Sequence, residues 1–211
     1  MKIAVLANEG LAQEIESKTL AAQTEFVWLS SLKGLVEEKD ADIYFDMEFD
    51  GTPERTQALS QLLPRPVLIN SVVLTLTEIG MPFIRINGWP GFIKRPVVEI
   101  ALAKNSQEEA VRKIFRGLEW EYRIVPDTAG MISARIIAMI INEAYYTYNE
   151  NISTKAEIDT AMKLGTNYPL GPFEWGGLIG LPKIYELLSV LGKKDPRYAV
   201  SEALKNELYA K

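Results

Sequence analysis

The 211-residue chain has no histidine and no cysteine. Without imidazole, no unperturbed side chain titrates near neutrality, and every nucleophile mechanism that depends on a His base is excluded. Acid–base chemistry must use carboxylates, lysine or tyrosine. Without thiols there are no disulfides and no thiolate chemistry, so a cytoplasmic location is the expectation. Positive charge is also short: 23 Lys and Arg face 28 Asp and Glu, a formal net charge of −5. That balance argues against a nucleic-acid partner, because phosphate binding needs clustered basic residues. No apolar run approaches the roughly 20 residues needed to cross a bilayer, so no membrane partner is expected. The opening Met1-Lys2-Ile3-Ala4-Val5-Leu6 is too short an apolar run for a signal peptide, and Glu9 and Glu14 follow at once.

What is present is a soluble-type composition, with 47% hydrophobic residues, enough for one large core or two small ones. Residues 2–7, 26–29, 43–47 and 67–70 read as short buried strands, which points to an α/β layer with parallel strands. Between them, residues 9–22 read as a helix with Leu11, Ile15 and Leu20 inward. Ser30 or Ser31 is placed to cap a short helix through Val36. Pro53 sits at the first turn of a helix running to Leu63. Residues 83–86, 97–101 and 122–125 are further strand candidates. The Asn87-Gly88-Trp89-Pro90-Gly91 segment is a loop. Ser106 and Glu109 form a capping-box pattern for a helix to Leu118. Composition changes at Pro126-Asp127-Thr128-Ala129-Gly130, and beyond it the signals are helical. Residues 131–149 are apolar almost all round, so this helix is expected to be buried on several sides. Further helices are expected from Ser153 to near Gly165, over 182–191, and after Asp195-Pro196. Gly171-Pro172-Phe173 and Gly176-Gly177 read as turns.

The tail carries the most specific pattern. Residues 127–136, Asp-Thr-Ala-Gly-Met-Ile-Ser-Ala-Arg-Ile, resemble the D-x-P-G-F-x-x-N-R-L segment of the 3-hydroxyacyl-CoA dehydrogenases. Asn142-Glu143-Ala144, the Ile158-Asp159-Thr160-Ala161-Met162-Lys163 run, Gly171-Pro172-Phe173 and Ile179-Gly180-Leu181 match further segments at the family's spacing. The resemblance implies a truncated Rossmann-like parallel-sheet domain over residues 1–126 and an all-helical dimerisation domain over 127–211. It also implies a homodimer and a context in acyl-CoA metabolism. Only about ten residues separate Ser31 from the third strand, so much of the family's CoA-binding arm is missing.

The same resemblance locates chemistry that has changed. In the family, glycines of G-x-G-x-x-G let backbone amides approach a cofactor diphosphate at a helix N-terminus. Here those positions hold Ala7, Glu9 and Ala12, and Ser30 stands at the ribose-binding acidic position. A carboxylate at Glu9 repels a diphosphate, so no NAD cofactor is expected. The family's catalytic His falls on Asn87 and its partner Glu on Glu99. An amide cannot take up a proton usefully near neutral pH, so the pair cannot work in the usual way. The hydroxyl-binding Ser falls on Val72 and the Asn of the N-R pair on Ala134. Asn70, Ser71 and Arg135 remain as candidate substrate-binding residues, and Arg55 stands at a cofactor-contacting Lys position. Glu99 has two readings: a surviving catalytic carboxylate, or a carboxylate paired with Asn87 or Arg135. Trp89, Trp120 and Trp175 either line a cleft or pack a core.

Three functions follow as expectations. The first is a family member without hydride transfer that keeps an interdomain cleft for a ligand such as an acyl-CoA, or for a partner. The second is an active 3-hydroxyacyl-CoA or related thioester oxidoreductase with a rebuilt site. The third is a structural or dimerising subunit of a fatty-acid-metabolism complex.

Overall fold

The computed structural model describes residues 1–19 and 23–210. Leu20 and Ala22, placed above in the first helix, lie outside the described residues. The chain divides into two compact units, Met1–Met131 and Ile132–Lys211.

The first unit is a seven-stranded sheet in the order β2-β1-β3-β4-β5-β6-β7. Its strands are β1 (Lys2–Leu6), β2 (Glu25–Leu29), β3 (Ile43–Asp46), β4 (Val67–Asn70), β5 (Ile84–Ile86), β6 (Val97–Leu102) and β7 (Glu121–Ile124). Five helices connect them: α1 (Glu9–Lys18), α2 (Leu32–Glu37), α3 (Pro53–Ser60), the one-turn α4 (Leu76–Ile79) and α5 (Glu108–Leu118). Because side chains alternate across a strand, β1 feeds two cores. Ile3 and Val5 join Leu11, Ile15, Ile114 and Phe115 on one face. Ala4 and Leu6 join Leu35, Leu59 and Leu76 on the other. Helices thus cover both faces, as a buried mostly parallel sheet requires.

The sheet is not wholly parallel. β1 through β5 run parallel, but β6 pairs antiparallel with β5, Ile86 opposite Ile100, and β7 then runs parallel to β6. The reason is the connection. Residues 87–96 contain no helix, whereas a parallel crossover takes a dozen or more residues and usually a helix. This link instead folds back over the sheet and buries Phe92 and Ile93. On α1, Glu14 accepts the Gly91 amide at 2.6 Å, and one turn further on the Lys18 ammonium donates to the Pro96 carbonyl at 3.1 Å. The capping box expected at Ser106 and Glu109 does not form. Gln107 takes that part, its side-chain oxygen accepting from the Ala103 and Lys104 amides at 2.9 and 3.0 Å. The cap of α2 is Ser31, whose hydroxyl accepts from Gly34.

The second unit holds five helices: α6 (Ser133–Asn149), α7 (Lys155–Thr166), α8 (Pro172–Ile179), α9 (Leu181–Gly192) and α10 (Glu202–Tyr209). The segment read as turns around Gly171 and Gly176 is helix α8, with Pro172 in its first turn where a missing N–H costs nothing. Asp159 of α7 explains the start: its carboxylate accepts from the Phe173 and Glu174 amides at 2.8 and 3.2 Å. Gly171 must lie so close beneath it that a Cβ there would come within 2.3 Å of the carboxylate. α7 is itself opened by a reciprocal Thr154–Glu157 capping box. Asn142 of α6 donates to the Ala199 carbonyl at 2.8 Å and accepts from the Ser201 amide at 2.9 Å, pinning the chain before α10. Although its apolar residues run almost all round and burial on several sides was the expectation, α6 has a bare side. Ala134, Ile137, Ala138 and Ile141 are buried, while Ile136 is 52% exposed.

Candidate functional site

The ends of β4 and β5 bring most of the sequence-derived candidates together. Asn87 follows β5 directly, and its amide donates to the Glu99 carbonyl at 3.0 Å, continuing the antiparallel ladder one step. That register puts the two side chains in reach, and Asn87 Nδ2 donates to Glu99 Oε2 at 3.3 Å. Asn87 is buried and Glu99 half-buried. The carboxylate therefore faces a carboxamide, a group with no proton affinity useful for abstraction.

Asn70 is fully committed to structure. Its Nδ2 donates to the Met47 and Gly88 carbonyls, both at 3.1 Å, and its Oδ1 accepts from the Gly88 amide at 3.0 Å. It ties the ends of β3 and β4 to the loop after Asn87. Gly88 is required there, since a Cβ would stand 2.7 Å from Asn70 Cγ. Ser71 is buried, and its hydroxyl donates to the Leu74 carbonyl at 2.9 Å.

Sequence reasoning missed Arg85, which is 0% exposed. Its guanidinium donates to the Ser71 carbonyl at 2.7 Å, the Val72 carbonyl at 3.0 Å and the Asp127 carboxylate. Burial pushes the guanidinium pKa below its ordinary value, against the pull of Asp127. Asp127 also accepts from the Leu76 and Thr77 amides at the start of α4. One clasp thus holds the Ser71-Val72 turn, α4 and the approach to Gly130, whose amide donates to the Val72 carbonyl at 2.8 Å. The signal was an arginine between two strand isoleucines, which by alternation reads as a solvent-facing position.

The start of α1 is capped from within the chain. Asn8 caps the helix with its own side chain, Oδ1 accepting from Leu11 at 3.0 Å, and Glu9 puts a carboxylate in the first turn. The anion-favouring end of the helix is already served by groups of this chain. Arg55 is engaged by Asp46, with Nε and Nη2 bonds of 2.7 and 2.6 Å. Burial opposes its charge, but the Asp46 contact outweighs that and raises its pKa.

In the second unit, Arg135 lies 5.8 Å from the Tyr198 ring centroid, and Ala134 is buried. The tryptophans pack rather than line an opening. Trp89, Trp120 and Trp175 are all buried, and Trp120 donates from Nε1 to Thr19 at 3.1 Å. No group of three or more Asp or Glu residues is placed to hold a metal ion among the described residues, and no described helix is long and apolar enough to cross a membrane.

A mostly parallel sheet with helices on both faces, followed by a helical unit, defines a Rossmann-like protein with a helical C-terminal domain. Comparison narrows this. Residues 130–210 match the family model of the 3-hydroxyacyl-CoA dehydrogenase C-terminal domain. The chain is 41% identical over 98 residues to the 3-hydroxyadipyl-CoA dehydrogenase of Escherichia coli (strain K12), covering 45% of this chain and 21% of that protein. Against a probable 3-hydroxybutyryl-CoA dehydrogenase of Bacillus subtilis (strain 168) it is 27% identical over 208 residues, 91% of this chain and 71% of the other. The solved (S)-3-hydroxybutyryl-CoA dehydrogenase of Ralstonia eutropha shares the fold, with a TM-score of 0.77 at 19% identity, covering 99% of this chain and 93% of that one. The chain is thus similar to 3-hydroxyacyl-CoA dehydrogenases in sequence and in fold, and its C-terminal residues 130–210 match that family's C-terminal domain. Several relatives are matched over only a fraction of their length, 21%, 24% and 31% for three of them.

Proposed function

We propose that this chain binds an acyl-CoA-like thioester without transferring hydride. The observation that carries the reading is the Asn87–Glu99 hydrogen bond. At the position of the family's base stands an amide, and the carboxylate that would orient a base is bonded to it. Loss of a general base typically costs a factor of about 10²–10⁴ in rate. The start of α1 adds a second reason, because Asn8 already takes the Leu11 amide and Glu9 puts a carboxylate in the turn that a cofactor diphosphate would have to approach. The unit that matches the family model also leaves Ile132 and Ile136 exposed on α6, which supports association as a homodimer.

The test is acetoacetyl-CoA reduction followed by NADH absorbance, for the wild type and Glu99→Gln, with melting curves in NAD, CoA and acyl-CoAs. Expected are no turnover by either protein, no shift with NAD, and a melting temperature raised by an acyl-CoA. Wild-type turnover that disappears in Glu99→Gln overturns the proposal and makes Glu99 catalytic. No shift with any thioester leaves the structural-subunit reading, for which the exposed α6 face is the supporting feature.

A further inference from the structure

A groove of about 560 Å³ opens on the helical unit between α9 and the chain entering α10, lined among others by Tyr146, Tyr185, Leu188, Lys193, Tyr198 and Lys205. Of these residues only Tyr198 neighbours one described above, Arg135. The volume falls in the range of small-molecule pockets, roughly 300–1,000 Å³. Its wall is held in place in advance: Asn142 and Tyr146 both donate to the Ala199 carbonyl, at 2.8 and 3.2 Å, and Asn142 accepts from the Ser201 amide. Tyr146 and Tyr185, both half-buried, supply the accessible rings, over a floor of buried Tyr198 and Leu188. Two ammonium groups come from separate elements, Lys193 just after α9 and Lys205 within α10, against one lining carboxylate, Glu202. In a chain with a net charge of −5, this is a local reversal of sign. The Tyr185 ring meets Tyr209 edge to face, with 6.0 Å between the centroids.

We propose that this groove binds a nucleoside phosphate, the base lying on the tyrosyl rings and the phosphates meeting Lys193 and Lys205. Rings stack on planar bases whatever the sequence, and two separately mounted ammoniums match a multiply charged phosphate better than a single carboxylate. Glu202 bonds Lys205 at 2.6 Å, so it competes with the incoming phosphate. That competition gives the site a signature of its own: removing the carboxylate should tighten binding, whereas removing a merely structural ion pair should not.

The experiment is calorimetric titration of the whole chain with ADP, adenosine and inorganic diphosphate as probes. ADP is expected to saturate with a Kd at or below about 1 mM, with both fragments at least about tenfold weaker. The double variant Lys193→Ala/Lys205→Ala should lose ADP about tenfold or more, and Glu202→Gln should gain a few-fold, each with wild-type circular dichroism. No heat at millimolar ADP overturns the proposal. So does ADP binding that survives the double lysine variant, which would put the nucleotide elsewhere on the chain. Diphosphate binding as tightly as ADP overturns the aromatic half, and adenosine binding as tightly overturns the anionic half. NAD and CoA both carry an adenosine diphosphate, so melting shifts with either are read also in the Lys193→Ala/Lys205→Ala background: a thioester shift that survives there belongs to a separate site, and an NAD or thioester shift that disappears there belongs to this groove.

Discussion

The two units treat the family's motif residues differently, and the structure shows why. In the helical unit three surviving motif positions have structural work. Asp159 caps α8, Gly171 makes room for it, and Asn142 pins the chain before α10. In the sheet unit the survivors do the same kind of work: Asn70 braces Gly88, and Asp127 caps α4 while pairing with Arg85. The positions that changed there, Ala7, Glu9, Val72 and Asn87, are those that resemblance assigns to cofactor or substrate contact. A residue that satisfies buried backbone groups is expensive to replace, whereas one that only met a ligand costs the fold nothing. The resemblance to the family is therefore legible through residues that say little about activity.

The sharpest way to break this comparison is Arg85→Met. It leaves the Ser71 and Val72 carbonyls and the Asp127 carboxylate without their buried partner, and about 3–5 kcal/mol should be lost. Chemical denaturation measures it. A loss below about 1 kcal/mol would show that the clasp does not hold the sheet unit together.

Asp159→Ala comes next, removing two amide bonds at the start of α8, for about 1–3 kcal/mol. Gly171→Ala alone should destabilise by forcing Asp159 aside, but in the Asp159→Ala background most of that cost should vanish. Additive losses in the double variant would contradict the close contact.

The smallest effect is a pH dependence. The Thr154 amide holds Glu157 below the usual carboxylate pKa, and the Lys163 ammonium does the same for Glu174. A depressed folded-state pKa stabilises above the unfolded value of about 4.3, and that contribution is lost as pH falls through the lower folded value. Glu157→Gln should therefore melt slightly below the wild type at pH 7, and the gap should close toward about pH 3. A gap unchanged across that range would remove the capping carboxylate as its cause.

Much of the fold was readable locally. Short apolar runs gave β1, β3 and β4, and Pro53 gave the start of α3. Strand direction was not encoded in any local pattern, yet the ten-residue link from β5 to β6 was too short for a parallel crossover and carried the answer. Arg85 was hidden because its ionic partner lies 42 positions away in sequence. Gly176 looked like a turn signal but lies inside α8, where a Cβ would meet Leu181 and Ile141 at ordinary van der Waals distance, 3.5 and 3.7 Å. The Asn87–Glu99 pairing was readable from spacing once the register was known. The commitment of Asn70 to Gly88 was not, because it depends on two loops meeting.

The grip of Arg85 on the Ser71 and Val72 carbonyls has a practical side. The backbone carrying position 72 is fixed from behind, by a residue that projects no atom to the surface. Exchanging Val72 for Ser would therefore present a hydroxyl from an unmoved main chain, leaving the scaffold's geometry to be inherited rather than redesigned. The sheet unit is in this sense a socket whose fittings can be changed one side chain at a time.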